Sequence, residues 1–388
     1  MSGSNVKNFS TRLESLRGLA AICVAVGHSL IWLRFISEPA IWAKSVFDVN
    51  GIQATLTRAL ITIFSGAAAV DIFFVLSGYV LAKSISRRPN SLPAIFEYSV
   101  KRMLRIVPAF WASLALAVLC LLAFSTGYVP KEGGTIWFNG WYREPLSLSV
   151  IASNVFMQTP SLNPNSWTLT VEVLGSLLLP FLLMFGWRKG LASTIAMLAV
   201  AIAISAYGSY FGLTWSYYFF MFAAGVAAAK HGDAVVSLLK PKVAKLTGIV
   251  AIFFILAGSA FFPLVHVLPQ DILFVVGAAW LVMLLGSSAI PEKIAILDNP
   301  VSRFVGRISY SFYLLHFMVL YWTANAVFVL VPDQFLIAYP LPVMIVVASA
   351  TVILVLPLSW LSYMYVERPF IYIGNAAFDN SRRRVASL

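Results

Sequence analysis

Residues 12–29 read RLESLRGLAAICVAVGHS. Positions 19–26 are an unbroken apolar run, and 30–33 continue it past the quoted stretch. The segment looks built for lipid, yet it carries Arg17 near its start and His28 inside it. A helix puts these two side chains on one stripe, because eleven residues give about 20° of net rotation and about 16 Å of rise. Neither suits a lipid-facing surface, so the fold must receive both. Arg17 is expected at the cytosolic edge and His28 deep in the membrane, where an ionisable residue defaults to a functional role. The alternative for His28 is packing or an interhelical hydrogen bond. Thr11 and Glu14 offer a capping box for the helix start.

Further along, the same composition persists. The chain is 60% hydrophobic and 11% charged, whereas soluble domains hold about a quarter charged residues. An all-α integral membrane protein follows. Apolar spans of membrane length fall near 12–34, 60–83, 104–124, 167–187, 191–210, 215–230, 246–263, 271–289, 309–331 and 340–366. With the N-terminus in the cytosol, every Lys and Arg except Arg34, Lys44, Arg58, Lys131 and Arg143 lies on the cytosolic side. This positive-inside asymmetry predicts a bundle of about ten transmembrane helices with both termini cytosolic. The net charge of +12 is then mostly a topology signal. A lipid bilayer is the expected partner and nucleic acid is not. Cys23 and Cys120 lie in apolar stretches and read as small hydrophobes. The opening MSGSNVKNFS has neither an h-region nor a cleavage site, so no removable signal peptide is expected. A single domain over 1–388 is expected, with a short basic cytosolic tail at 367–388. The outward loop 125–166 should hold an interfacial helix near 147–157.

Polar residues inside the other spans supply the remaining candidates. AVDIFFVLSGYVLAK (69–83) runs inward and carries Asp71 and Ser77. Asp71 is twelve residues from Lys83, hence about 18 Å above the cytosolic edge and level with His28 on an antiparallel neighbour. A carboxylate that fixes an imidazole tautomer is the usual support for a histidine base. Asp71 is therefore expected to pair with His28; the alternative is a structural hydrogen bond. Glu172, at the end of WTLTVE (167–172), is open between binding substrate hydroxyls, assisting proton transfer and pairing with a neighbouring helix. His316 lies about two turns into its span, with Ser309 and Tyr313 close to its face by helical spacing. Ser77, Ser309, Tyr313 and His316 are expected to support the reacting groups rather than to react.

Four more fragments complete a series: KRMLRIVPAFW (101–111), WTLTVE, GRISYSFYLLHF (306–317) and VERPF (366–370). With the Arg17–His28 spacing and FFVLSGY (73–79), they resemble the acyltransferase-3 family of membrane acyltransferases, in order, from residue 12 to about 370. Thr168 stands where the family usually has Ser and keeps the hydroxyl. The resemblance implies an O-acetyltransferase of the bacterial inner membrane. It would move an acyl group, most often acetyl from acetyl-CoA, to a hydroxyl of a cell-surface polysaccharide or lipid-linked glycan. Succinyl-CoA is the alternative donor; a Nod factor, macrolide or lipid is the alternative acceptor. Some members add an SGNH hydrolase-like domain, and this chain resembles the stand-alone form. Arg17 and His28 match the family's first-helix motif.

The residue chemistry suits that reading. A sugar hydroxyl needs a base to attack a thioester, which suits His28; an acyl-histidine intermediate is the alternative. Arg17, Arg102, Arg105 and Arg307 are expected to hold the donor phosphates through bidentate contacts. For Lys101 and Arg368 topology alone comes first. RRPNSLPAIFEYSVKRMLR (87–105) is expected to form part of the nucleotide seat, and no metal is expected. Two rivals remain. A proton-coupled exporter of an anionic substrate would often show two related halves, which the sequence lacks. A catalytically silent lipid-binding scaffold leaves the depth match of His28 and Asp71 unexplained.

Overall fold

The computed structural model describes residues 2–86, 92–125, 127–186, 190–287 and 294–386, with side chains from 11 to 378 except 92, 185, 186 and 209. The first five residues of the expected nucleotide seat, 87–91, lie outside these ranges. No strand occurs among the described residues. Helix α1 covers Ser2–Ser29, so Thr11 sits within a continuous helix and the expected capping box starts nothing. A short α2 (Ile52–Ile63) leads through a break at 64 and 65 into α3 (Gly66–Ile85). There follow α4 (Leu92–Phe124), α5 (Leu148–Val155) within the long loop, and α6 (Trp167–Gly186). The next elements are α7 (Leu191–Tyr210), α8 (Thr214–Tyr217), α9 (Phe219–Ser237), α10 (Pro241–Phe261) and α11 (Leu268–Gly286). The chain then forms α12 (Ala295–Asp298), α13 (Pro300–Leu330), α14 (Asp333–Ala338) and α15 (Pro340–Ser362). A π-helical turn, Tyr363–Glu367, joins α15 to α16 (Arg368–Ala386). The expected tail is therefore a helix, and it packs along α4 with Lys101 over the Phe378 ring.

Among the described residues, nine helical stretches are long and apolar enough to cross a membrane, with α2 and α3 counted as one. Helix α1 is not among them, because its apolar run is broken by Arg12, Glu14 and Arg17. Those charges are affordable for a positional reason. Helix α1 is the centre of the bundle, packed against α13, α3 and α15. The outer helices instead turn Leu119, Leu122, Phe181, Ile195, Phe253 and Val346 outward, as lipid contact requires. The chain is a multi-pass, all-α membrane protein.

Helices α1 and α13 run in the same direction and cross closely at Gly18 and Gly306. A Cβ on Gly18 would lie 2.6 Å from the Gly306 backbone nitrogen. Small residues allow such approach, and close packing takes the place of the hydrophobic drive that lipid removes. At the end where the chain begins, here the basic end, Arg12 grips Asp298 with Nε–Oδ1 at 3.0 Å and Nη2–Oδ2 at 2.9 Å. At the opposite, capped end, residues 30–51 and 125–166 fold over the helices. Leu33 pairs with Gly134, and the Thr135 hydroxyl donates to the Ile31 carbonyl at 2.8 Å. Fully buried Arg58 donates to the carbonyls of Lys44, Ser259 and Phe262, tying this cap to the end of α10.

Candidate active site

Helix α1 stops one residue after His28, whereas His316 lies in the middle of α13. The loop residues Trp137 and Thr135 then cover this end of α1. His28 Nδ1 lies 3.1 Å from His316 Nε2. The Phe312 and Tyr313 carbonyls lie one turn back on α13, on the His316 side of the helix. One ring nitrogen of this pair carries the shared proton and the other accepts it. Asn165 Nδ2 stands 3.5 Å from His316 Nδ1 and also donates to the Tyr313 carbonyl at 2.9 Å. His316 is fully buried, whereas His28 keeps some accessible surface. Trp137 from the loop covers the His28 ring at 5.1 Å. The arrangement is a pair of imidazoles in hydrogen-bond contact under an aromatic cover.

Toward the basic end a cavity of about 120 Å³ opens between α1, α3, α4, α6 and α13. Arg17, Arg102, Arg105, Glu172, Ser77, Ser309, Thr168 and Tyr313 supply its polar surface, and apolar side chains such as Val70, Phe73 and Leu169 the rest. Arg17 Nε donates to Ser309 Oγ at 2.8 Å. Glu172 pairs with Arg102 and accepts from Ser77 Oγ at 3.1 Å. Of its three open roles, the structure assigns it the partnership with a neighbouring helix, at the guanidinium cluster rather than at the histidines. The π-helical turn after α15 brings Glu367, 2% exposed, into the bundle, where it accepts from Ser311 and interacts with Arg105. Three guanidiniums thus face two carboxylates, leaving net positive charge for an anionic ligand. At the far end of the cavity the Thr168 hydroxyl lies 3.0 Å from the Tyr313 hydroxyl, and the Tyr313 ring is 5.7 Å from that of His316. Tyr313 thus lies between the cavity and the histidine pair.

Two expectations need correction. Asp71 does not support His28. It is fully buried on the face of α3 turned to α11, within 4.8 Å of ligand atoms of His266 and Asp271. The depth match failed because Arg17 and Lys83 do not mark one level. Arg17 shares the cavity with Ser77 and Val80, whereas Lys83 lies beyond them, bound to Asp233 at 2.6 Å. A Cβ on Gly27 would lie 2.5 Å from the Phe64 carbonyl, so α3 begins beside the last turn of α1. Asp71, five residues into α3, then lies about 7.5 Å below that turn. Arg307, for its part, is exposed and lines a separate surface recess with Trp360, Tyr363 and Arg368, away from Arg17.

The sequence reading placed His316 behind the reacting groups, and it missed Glu367, Trp137 and Asn165. From the crossing of the parallel helices at Gly18 and Gly306, ten residues lead to His28 on α1 and ten to His316 on α13, which brings the two histidines level.

Two histidines in contact near a cationic cavity, inside a multi-pass helical bundle, form the candidate active site of this membrane protein. Residues 11–364 match the acyltransferase-3 family, described as an acyltransferase domain. The chain belongs to that family and is a membrane acyltransferase. It is 27% identical over 337 residues to nodulation protein 10 of Rhizobium leguminosarum bv. viciae, covering 79% of this chain and 82% of that one. Exopolysaccharide production protein ExoZ of Rhizobium meliloti (strain 1021) is also 27% identical, over 331 residues, covering 80% and 91% respectively. No solved structure matches the chain.

Proposed function

We propose that this acyltransferase moves an acyl group, acetyl in the first instance, from acyl-CoA to a hydroxyl of a cell-surface polysaccharide or lipid-linked glycan. His28 Nε2 removes the hydroxyl proton as the oxygen attacks the thioester carbonyl. The C–S bond breaks, and the imidazolium returns the proton to the departing thiolate. His316 holds the tautomer that leaves Nε2 open. Arg17, Arg102 and Arg105 receive the donor phosphates, and the pantetheine arm runs along the cavity past Ser309 and Tyr313. The single observation that carries this reading is the 3.1 Å His28–His316 contact, with Tyr313 between it and a cavity that holds three arginines. Arg17 and His28 are separated by about 16 Å along α1, a distance an extended pantetheine arm spans. The name of the exopolysaccharide relative favours a glycan acceptor. Placement in the bacterial inner membrane, with the arginines toward the cytosol that makes coenzyme A, belongs to the same proposal.

Membranes containing the protein, given radiolabelled acetyl-CoA and the host's lipid-linked glycans, should place base-labile label on the glycan. Label that stays on coenzyme A with every host glycan fraction, and with succinyl-CoA as well, would refute the reading. Arg307→Ala serves as an internal check. Its exposed charge lies outside the cavity, so donor affinity should change by less than about twofold, as for other exposed charges. A larger loss, measured by isothermal titration, would place the donor on the Arg307 face instead.

A further inference from the structure

The catalytic reading uses neither Asp71, His266 nor Asp271, yet these three form the most unusual polar group in the bundle. Asp71 and Asp271 are both 0% exposed and lie within the helical core. His266 Nδ1 and the Tyr217 hydroxyl both approach the same oxygen, Asp271 Oδ2, at 3.1 and 2.7 Å. The other oxygen of Asp271 and both oxygens of Asp71 have no hydrogen-bond partner among the described residues. Three orphaned carboxylate oxygens in a membrane core are costly unless something neutralises them. A single proton shared between the two acids serves two of the three oxygens and leaves the last unserved. One divalent cation can take all of them.

We propose that Asp71, His266 and Asp271 bind one divalent metal ion of the zinc type. Ligand atoms from the three residues all lie within 4.8 Å of one another. Tetrahedral zinc, about 2.0–2.2 Å from each ligand, sets ligand atoms about 3.3–3.6 Å apart, so small side-chain shifts bring these three into one shell. Two carboxylates and a neutral imidazole are a borderline-to-hard donor set that suits zinc or manganese rather than a thiolate-seeking ion. Two negative charges and a divalent cation leave the site neutral, as a buried position in a membrane protein demands. The Tyr217 hydroxyl, donating to Asp271, fixes that carboxylate's orientation. Tyr218 at 5.3 Å and Trp167 at 6.1 Å pack against the His266 ring, whose side chain keeps 23% exposure and so leaves the ion a way in. The ion ties α3 to α11 and to the loop before it. No sequence spacing announces the site, since Asp71 lies 195 residues from His266.

The test is independent of acyl transfer. The full chain, purified in detergent, stripped with EDTA, dialysed against zinc chloride and desalted, is analysed by inductively coupled plasma mass spectrometry. Wild type and His28→Ala should retain about one zinc per chain. Asp71→Asn and Asp271→Asn should retain less than about a tenth of that, since a zinc ligand must be deprotonated and an amide is a poor substitute. Because a variant might fail to fold, the melting temperature of wild type is followed as well: EDTA should lower it and zinc restore it. Wild type without bound zinc or manganese, or Asp71→Asn binding as much as wild type, would overturn the proposal. Melting unchanged by EDTA would do the same. Asp71→Asn melting at or above wild type with neither protein holding metal would identify a shared proton instead.

Discussion

His316→Ala should slow acyl transfer by about 10²–10⁴-fold while donor affinity stays near that of wild type, because it removes what orients the base rather than what binds. The effect would run through the His28 tautomer. Without an acceptor at His316 Nε2, the Nδ1–H of His28 loses the partner that keeps the proton off Nε2, 3.1 Å away in the structure. His316→Gln offers a side-chain carbonyl at a similar reach and should recover part of the loss, which a purely structural role would not predict. The two histidines act as one unit, so the double alanine variant should be little slower than His28→Ala alone. Initial rates with saturating donor, and their dependence on pH, decide the matter. Full additivity of the two losses, or a His316→Gln variant no better than His316→Ala, would separate His316 from the base.

Arg17→Ala should weaken acyl-CoA binding by tenfold or more. A charge-assisted contact to a phosphate is worth about 1.5–3 kcal/mol, and Arg17 stands in the cavity beside Arg102 and Arg105, where such a group would lie. Ser309 and the Gly306 carbonyl take two donors of its guanidinium, and the remaining three of five stay available to a ligand. Arg17→Lys should restore only part of the affinity, since an ammonium lacks the planar fork. Titration with acyl-CoA and with dephospho-CoA checks this. The two variants should bind dephospho-CoA more nearly as wild type does, if the 3′-phosphate is the group held. Equal losses for both ligands would move Arg17 to the pyrophosphate, and no loss at all would remove it from the donor site.

Periodicity made much of the bundle readable in advance. Apolar runs located the spans, and the Arg17–His28 stripe identified α1 as a helix that lipid could not surround. Facing directions were a different matter. Asp71 and His28 looked level because Arg17 and Lys83 were treated as one membrane edge, and only the packing of Gly27 against the Phe64 carbonyl reveals the offset. Arg307 looked equivalent to Arg17 because both stand near helix ends, but they leave their helices on different faces. Trp137 and Asn165 come from the aperiodic capping loop, where no spacing rule applies. Glu367 owes its inward direction to a π-helical turn that shifts the register of the last span.

The most direct measurement is the rate of acyl transfer by purified His28→Ala, with acyl-CoA binding followed on the same preparation. The account predicts that the variant binds the donor as wild type does, while transfer falls below about a hundredth of the wild-type rate, the lower end of what a positioned base contributes. Transfer at more than about a tenth of the wild-type rate would contradict it.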